Sequence, residues 1–249
     1  MVENWVYAII SVFFVSLISF IGIFTLSIKI KKLNKIIIYF ISFSVGALFG
    51  TVFFHIIPEI IEKYGFDKNI SILILSGIAI FFVTEKIIHW RHLHLPSNKK
   101  QIHRFAIMNI VGDGVHNFLD GLIIGSSYLL SIPTGIAATI AVMLHEIPQE
   151  IGDFGVLVHG GFSRSKALFI NFLSGSVAIL GTIIALVSSK FIPNIEIILA
   201  PIAAGGFIYI AGSDLMPELH KKFNIKESWL QLIFLIMGMS IMLLITKLT

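Results

Sequence analysis

The chain has no cysteine. Disulfide frameworks, thiolate zinc sites and redox pairs are thereby excluded. Charge is scarce as well: Asp, Glu, Lys and Arg make up 13% of the 249 residues, against 56% hydrophobic residues. With a mean hydropathy of +0.94, that shortage excludes an ordinary soluble globule and points to membrane spans. No basic residue precedes the first apolar run, where Met1 to Asn4 carry Glu3 alone, so a cleaved leader is not expected. The pI near 9.2 is read in such a chain as a topology signal, not as a nucleic-acid footprint.

The most informative shortage is local. From Phe105 to Val158 there is no Lys or Arg, yet there are five carboxylates and two histidines. They fall in two stretches, Asp113-Gly114-Val115-His116-Asn117-Phe118-Leu119-Asp120-Gly121 and His145-Glu146-Ile147-Pro148-Gln149-Glu150-Ile151-Gly152-Asp153. Each stretch is embedded in an apolar run. An ionised group at the bilayer centre costs roughly 2.5–3.5 kcal/mol on insertion scales. Acids in this setting need a positive partner, and the surrounding chain supplies none. A divalent metal ion is the expected one.

The chain divides into eight apolar spans of roughly 20 residues each. They cover approximately 5–28, 36–61, 70–88, 105–130, 134–158, 167–189, 195–215 and 229–246. The predicted fold class is all-α, a polytopic membrane protein forming a single transporter domain over 1–249, with a histidine-containing loop at 89–104. With the N-terminus outside, 14 of the 18 basic residues fall in inner connections and only Lys63, Lys68, Lys190 and Lys247 remain outside. That bias predicts both termini outside. Spans four and five are joined by a short connection at Ser131-Ile132-Pro133, with His116 fifteen residues before Ser131 and His145 fourteen after it. Two antiparallel helices of equal rise bring these histidines to one depth. Span two reads VGALFGTVFFHIIPE and span seven AAGGFIYIAGSDLMPE. In both, small residues are followed by His55 or Asp214, then by a proline and Glu59 or Glu218. The pattern predicts an inverted repeat flanking a central hairpin.

On a helix, residues four apart share a face. His116 with Asp120 is such a pair, as is His145 with Gln149; Glu146 with Glu150 makes another, turned by about 100°. Asn117 neighbours His116. Imidazole and carboxylate without thiolate suit zinc and related first-row divalents in an exchangeable site. Pro148 removes a donor and frees the carbonyl of Leu144 to line a cavity or coordinate the ion. Asp113 and Asp153 are expected to orient ligands from behind or to bond to nearby backbone. His55, Glu59, Glu150, Asp214 and Glu218 are candidates for such support or for an access path, with helix-end pairing as the plain alternative for His55, Glu59, Asp214 and Glu218. His89, His92, His94 and His103 either capture metal transiently or form a solvated loop. Two other functions fit parts of this pattern. Carboxylates in series suit a proton-conducting relay. An intramembrane metalloprotease would read His-Glu-x-x-His, but Gln149 stands where the second His is required.

The motifs HNFLDG on span four and HEIPQEIGDF on span five resemble the signatures of the ZIP (Zrt-, Irt-like) family of metal transporters, in the branch with HExPxE on the fifth helix. The likeness extends over most of the chain, including the histidine-bearing inner loop and GALFGTVFFHIIPE on span two. The resemblance implies an α-helical bundle that moves Zn2+, and often Fe2+ or Mn2+, into the cytoplasm across a plasma membrane or a bacterial inner membrane. The metal is cargo, with no catalytic cofactor, no enzymatic activity and no nucleic-acid partner. Homodimers and an alternating-access, elevator-like movement are also implied. Matched by motif position, the ligands are His116, Asn117, Asp120, His145, Glu146 and Gln149. Three positions depart from the pattern. Gln149 stands where relatives commonly carry His or Glu, and a neutral amide is the poorer ligand. Asn171 stands in span six, where some carry a further carboxylate, and Thr51 occupies a position that is often acidic.

Overall fold

The computed structural model describes the backbone of residues 2–22, 30–92, 99–220 and 225–245, and side chains within 3–22, 37–86, 110–158, 160–220 and 225–245. All regular structure among these residues is helical. Helix α1 (Val2–Leu17) runs into a 3-10 turn at Ile18–Ile21. Helix α2 (Ile30–Thr51) continues through a π segment, Val52–Ile56, into α3 (Ile57–Tyr64). Then come α4 (Lys68–His92), α5 (Lys99–Leu130), α6 (Ile132–His159), α7 (Arg164–Gly175) and α8 (Val177–Phe191). Helix α9 (Glu196–Tyr209) passes through a second π segment, Ile210–Leu215, into α10 (Met216–His220), and α11 (Ile225–Ile245) completes the bundle.

Six rods among the described residues are long and apolar enough to cross a membrane: Glu3–Ile21, Ile37–Tyr64, Lys68–Lys86, Arg164–Phe191, Glu196–His220 and Ile225–Ile245. Large apolar side chains such as Phe14, Leu75, Phe169, Phe191 and Trp229 point outward on them, as suits an integral membrane protein surrounded by hydrocarbon. Helices α5 and α6, of 32 and 28 residues, have the length to cross but carry the polar stretches. They form the expected hairpin. Ser131 caps α6 by accepting the Thr134 amide at 3.3 Å, with Pro133 in the first turn.

Local chemistry accounts for the departures from eight plain helices. The sixth span is broken between α7 and α8 at Ser176, whose hydroxyl donates back to the Phe172 carbonyl at 2.7 Å. Both π segments lie immediately ahead of a proline, Pro58 or Pro217, where the normal ladder loses a donor. Much of the expected loop at 89–104 is helix: α4 extends to His92 and α5 starts at Lys99. The side chains of His89, His92 and His103, and the whole of His94, lie outside the described residues. Ahead of α4, Asp67 accepts from the amides of Ile70 and Asn69 at 3.0 and 2.9 Å. These bonds, that from Ile70 foremost, hold its carboxyl below the usual range.

Three helix pairs approach so closely that each helix presents a glycine to the other's backbone. Gly46 of α2 faces the Leu235 carbonyl while Gly238 of α11 faces that of Phe43. Gly77 of α4 and Gly205 of α9 do the same against Ile202 and Ile74, and Gly121 of α5 and Gly181 of α8 against Ala178 and Phe118. A Cβ at any of the six would collide with backbone, which cannot retreat as a flexible side chain can. These contacts sort the helices into two sets. One holds α2, α4, α9 and α11. The other holds α5 and α8, to which Gly175 and Gly22 join the 3-10 turn through close contacts with Ser19 and Phe154. Helix α6 packs against its hairpin partner α5 and, across the boundary, against α2.

Candidate metal centre

His116 and Asp120 rise from α5, and His145 and Glu146 from α6. One ligand atom from each of the four lies within 4.8 Å of all the others. His116 Nε2 stands 3.3 Å from His145 Nε2, 3.7 Å from Asp120 Oδ2 and 3.5 Å from Glu146 Oε1. His145 Nε2 stands 2.9 Å from Asp120 Oδ2 and 3.5 Å from Glu146 Oε1. The expectation of equal depth is borne out by these distances.

Hydrogen bonding gives this cluster its character. His145 Nδ1 lies 3.1 Å from the Ala141 carbonyl. A carbonyl only accepts, so Nδ1 carries the proton and Nε2 presents a lone pair to the centre. Both oxygens of Asp120 and both oxygens of Glu146 are buried without a hydrogen-bond donor. The short approach of His145 Nε2 to Asp120 therefore sets lone pair against lone pair. Such an arrangement is unfavourable in a low dielectric unless a cation or a proton stands between the groups. Imidazole and carboxylate at these separations fit a first-row divalent ion, and the metal expectation gains its geometric support here.

A second polar layer lies about one turn, roughly 6 Å, farther from Ser131. Each of its two carboxylates meets donors, although Asp113 Oδ2 has none. Asp113 Oδ1 accepts from Asn117 Nδ2 at 3.0 Å and from Gln149 Nε2 at 3.2 Å. Glu150 accepts short hydrogen bonds from the Ser19 hydroxyl and from Asn171 Nδ2, and Asn171 also donates to the Ser19 carbonyl at 3.2 Å. Asn117 and Gln149, named with the four as ligands by resemblance, thus turn their amide nitrogens to Asp113. Nothing in the sequence pattern singled out Ser19, which arrives from the far end of α1.

The carbonyl freed by Pro148 finds a different use from either that was expected. Ser44 of α2 donates to Leu144 O at 2.7 Å, so the freed carbonyl is satisfied across the boundary between the two sets. The other named residues are dispersed. His55 is buried and bonds through Nε2 to the Met242 carbonyl at 2.8 Å. Glu59 pairs with Lys63 at 3.1 Å, and Lys63 also donates a short hydrogen bond to Leu130 O. Asp214 lies in the second π segment and Glu218 in α10, and Asp153 is on α6 one turn past Gln149. Glu85 was not singled out. It accepts a short bond from Tyr209 at the same end of the bundle as Asp214.

Burial around the centre is uneven. Toward Ser131 the hairpin is closed: Ile124, Ala137, Ala138, Ala141 and Val142 are inaccessible. Away from Ser131 it is mixed, with Asn117, Glu150, Phe154 and Leu157 buried. Val111 and Val115 are 58% and 40% exposed, and a Cβ on Gly152 or Gly155 would meet no atom within 4 Å. His116 is the centre's exposed member, with 17% of its side chain accessible against 1% or less for the other three.

A family model described as ZIP Zinc transporter matches residues 2–104 and 92–246. Among curated proteins, the Zinc transporter ZIP13 homolog of Drosophila melanogaster is 30% identical over 279 aligned positions, covering 86% of this chain and 79% of the relative. The human Metal cation symporter ZIP14 is 28% identical over 305 positions, covering 88% of this chain and 61% of that protein. The IAA-alanine resistance protein 1 of Arabidopsis thaliana is 45% identical over 145 residues, which are 57% of this chain but only 31% of its own length.

Proposed function

Since this chain belongs to the ZIP zinc transporter family, we propose that it carries divalent metal ions into the cytoplasm, Zn2+ foremost and Fe2+ or Mn2+ as further cargo. One observation carries the site. His116, Asp120, His145 and Glu146 converge on one point with lone pairs and carboxylate oxygens that no donor satisfies. Asn117 and Gln149 complete the set through their amide oxygens once their nitrogens are held by Asp113. The HExPxE form of span five (α6), in which Gln149 follows Pro148, supports placing the chain in that branch of the family.

Eight spans are proposed, with α5 and α6 crossing as the central pair and both termini outside. Two helices whose polar residues face each other can cross where six apolar rods surround them. The inverted repeat is supported by matched offsets. Gly46 precedes His55 by the same nine residues that separate Gly205 from Asp214, and the π segments and the prolines also coincide. Each of these two glycines also interlocks with a partner helix, α11 or α4.

Alternating access is the proposed mechanism, and the division into two sets supports it. Every glycine whose added Cβ would strike a neighbour does so within one set. Between the sets the contacts are looser side-chain bonds, such as Ser44 to Leu144 O and Thr51 Oγ1 to Ala137 O at 3.3 Å. An elevator-like shift of the α5–α6 unit breaks these and leaves the interlocked backbones intact. A homodimer is the proposed assembly.

Uptake of labelled Zn2+ into proteoliposomes tests the reading. Wild type accumulates the ion, and His145→Ala and His116→Ala do not; full uptake by both variants overturns the site. Competition by Fe2+, Mn2+ and Cd2+ ranks the cargo. The proton-relay alternative requires proton flux in metal-free vesicles that Zn2+ leaves unchanged. A protease of the His-Glu-x-x-His type needs its second His where Gln149 instead donates to Asp113.

A further inference from the structure

An apolar groove of about 420 Å3 opens on the outer face of the bundle, lined by Tyr39, Phe40 and Phe43 of α2, Leu144 of α6, and Phe234 and Met237 of α11. Tyr39 and Phe234 stack at its wall, their ring centroids 5.2 Å apart. Two features make it more than a gap between helices. The first is charge at one end. Helices α2 and α11 run parallel, since Tyr39 meets Phe234 and Gly50 meets Met242. Both therefore begin at the same membrane face. Their first two turns carry Lys31, Lys32 and Lys35 on α2 and Lys226, next to Glu227, on α11. By helical register Lys32 and Lys35 fall on the stripe that continues through Tyr39 to Phe43. The second is position. Leu144 precedes the ligand His145, and its carbonyl is the one Ser44 holds across the boundary between the two sets.

The geometry points to this groove as a binding site for an anionic phospholipid, with an acyl chain among the aromatic side chains and the phosphate at the lysine end. A wholly apolar groove at hydrocarbon depth has the bilayer as its solvent. A cluster of Lys at the interface selects an anionic headgroup over a zwitterionic one. The lipid then touches α2 and α11 of one set and α6 of the other, so its occupancy favours one relative position of the two sets. The effect on transport rests on the function proposed above, whereas the binding does not.

Native mass spectrometry on protein released from vesicles of mixed phosphatidylcholine and phosphatidylglycerol tests the binding. Wild type retains phosphatidylglycerol in preference. Replacing Lys32 and Lys35 with Ala lowers that preference by on the order of fivefold per lysine. Met237→Trp, which fills the groove, removes the retained lipid; Met237→Leu, of matched volume, keeps it and controls for misfolding. Equal retention of both lipids by wild type, or an unchanged preference in both the lysine and the Met237→Trp variants, overturns the proposal. Zn2+ uptake is measured in the same vesicles. It falls when phosphatidylglycerol is left out for wild type, and is insensitive to that omission for the lysine variant. If no vesicle takes up Zn2+ while lipid retention follows this pattern, the transport reading fails and the lipid site stands.

Discussion

Two polar layers cross the same helical hairpin one turn apart, and their chemistry differs. Around Glu150 and Asp113, each carboxylate meets donors: Ser19 and Asn171 for one, Asn117 and Gln149 for the other. Around Asp120 and Glu146, four buried oxygens meet none. Both layers are rich in acid and both are buried, so neither composition nor depth separates them. The supply of donors does. A buried carboxylate with its donors is part of the scaffold, and the pair with no donor on any oxygen forms the proposed metal centre.

The sharpest way to break this contrast is to swap charge for a donor in each layer. Glu146→Gln keeps the shape, brings an N–H to Asp120 and removes one unit of repulsion. Zn2+ uptake should fall to background while the melting temperature of the metal-free protein rises. Loss of uptake together with a lower melting temperature would place Glu146 in the scaffold. Asn171→Ala should do the reverse: it leaves Glu150 with Ser19 alone at a cost of about 1 kcal/mol, read as lower thermal stability, with Zn2+ affinity by calorimetry little changed. Acidification should weaken the first layer. His116 and His145 must be deprotonated to ligate, so Zn2+ affinity should decline as the pH falls. Proton release on binding, followed in weakly buffered calorimetry, checks this. The smallest effect belongs to Gln149→His. It gives up one hydrogen bond to Asp113, about 1 kcal/mol, and offers a ring nitrogen beside the first layer. Its readout is a shift in the order of competing metals at nearly unchanged uptake.

Much of the first layer is legible in the sequence because it is local. The i, i+4 spacing of His116 and Asp120, the motif beginning at His145, and the near-equal distances from Ser131 suffice to bring four ligands to one depth. The donor layer is not legible in this way. Whether Glu150 is a ligand or a support depends on Ser19, which lies 131 positions away, and on Asn171 from α7. The π segments illustrate the same limit. Pro58 and Pro217 mark where the ladder must fail, but a single wide turn rather than a break follows only once α11 and α4 press on the same rods. The aromatic groove is likewise assembled from three helices that no short motif connects.

The interlocked glycines have a consequence for how the protein is made. Their pairings are nested: Gly121 with Gly181 innermost, Gly77 with Gly205 outside it, and Gly46 with Gly238 outermost. A ribosome therefore delivers the first member of every pair long before the second, and α2 waits in the lipid until the final helix emerges. The closing order runs outward from the hairpin, so the proposed metal centre is assembled before the outer pairs of the other set are complete. A nascent chain arrested before α11 would carry a finished binding centre on an open frame, with the glycine-lined side of α2 filled only by lipid.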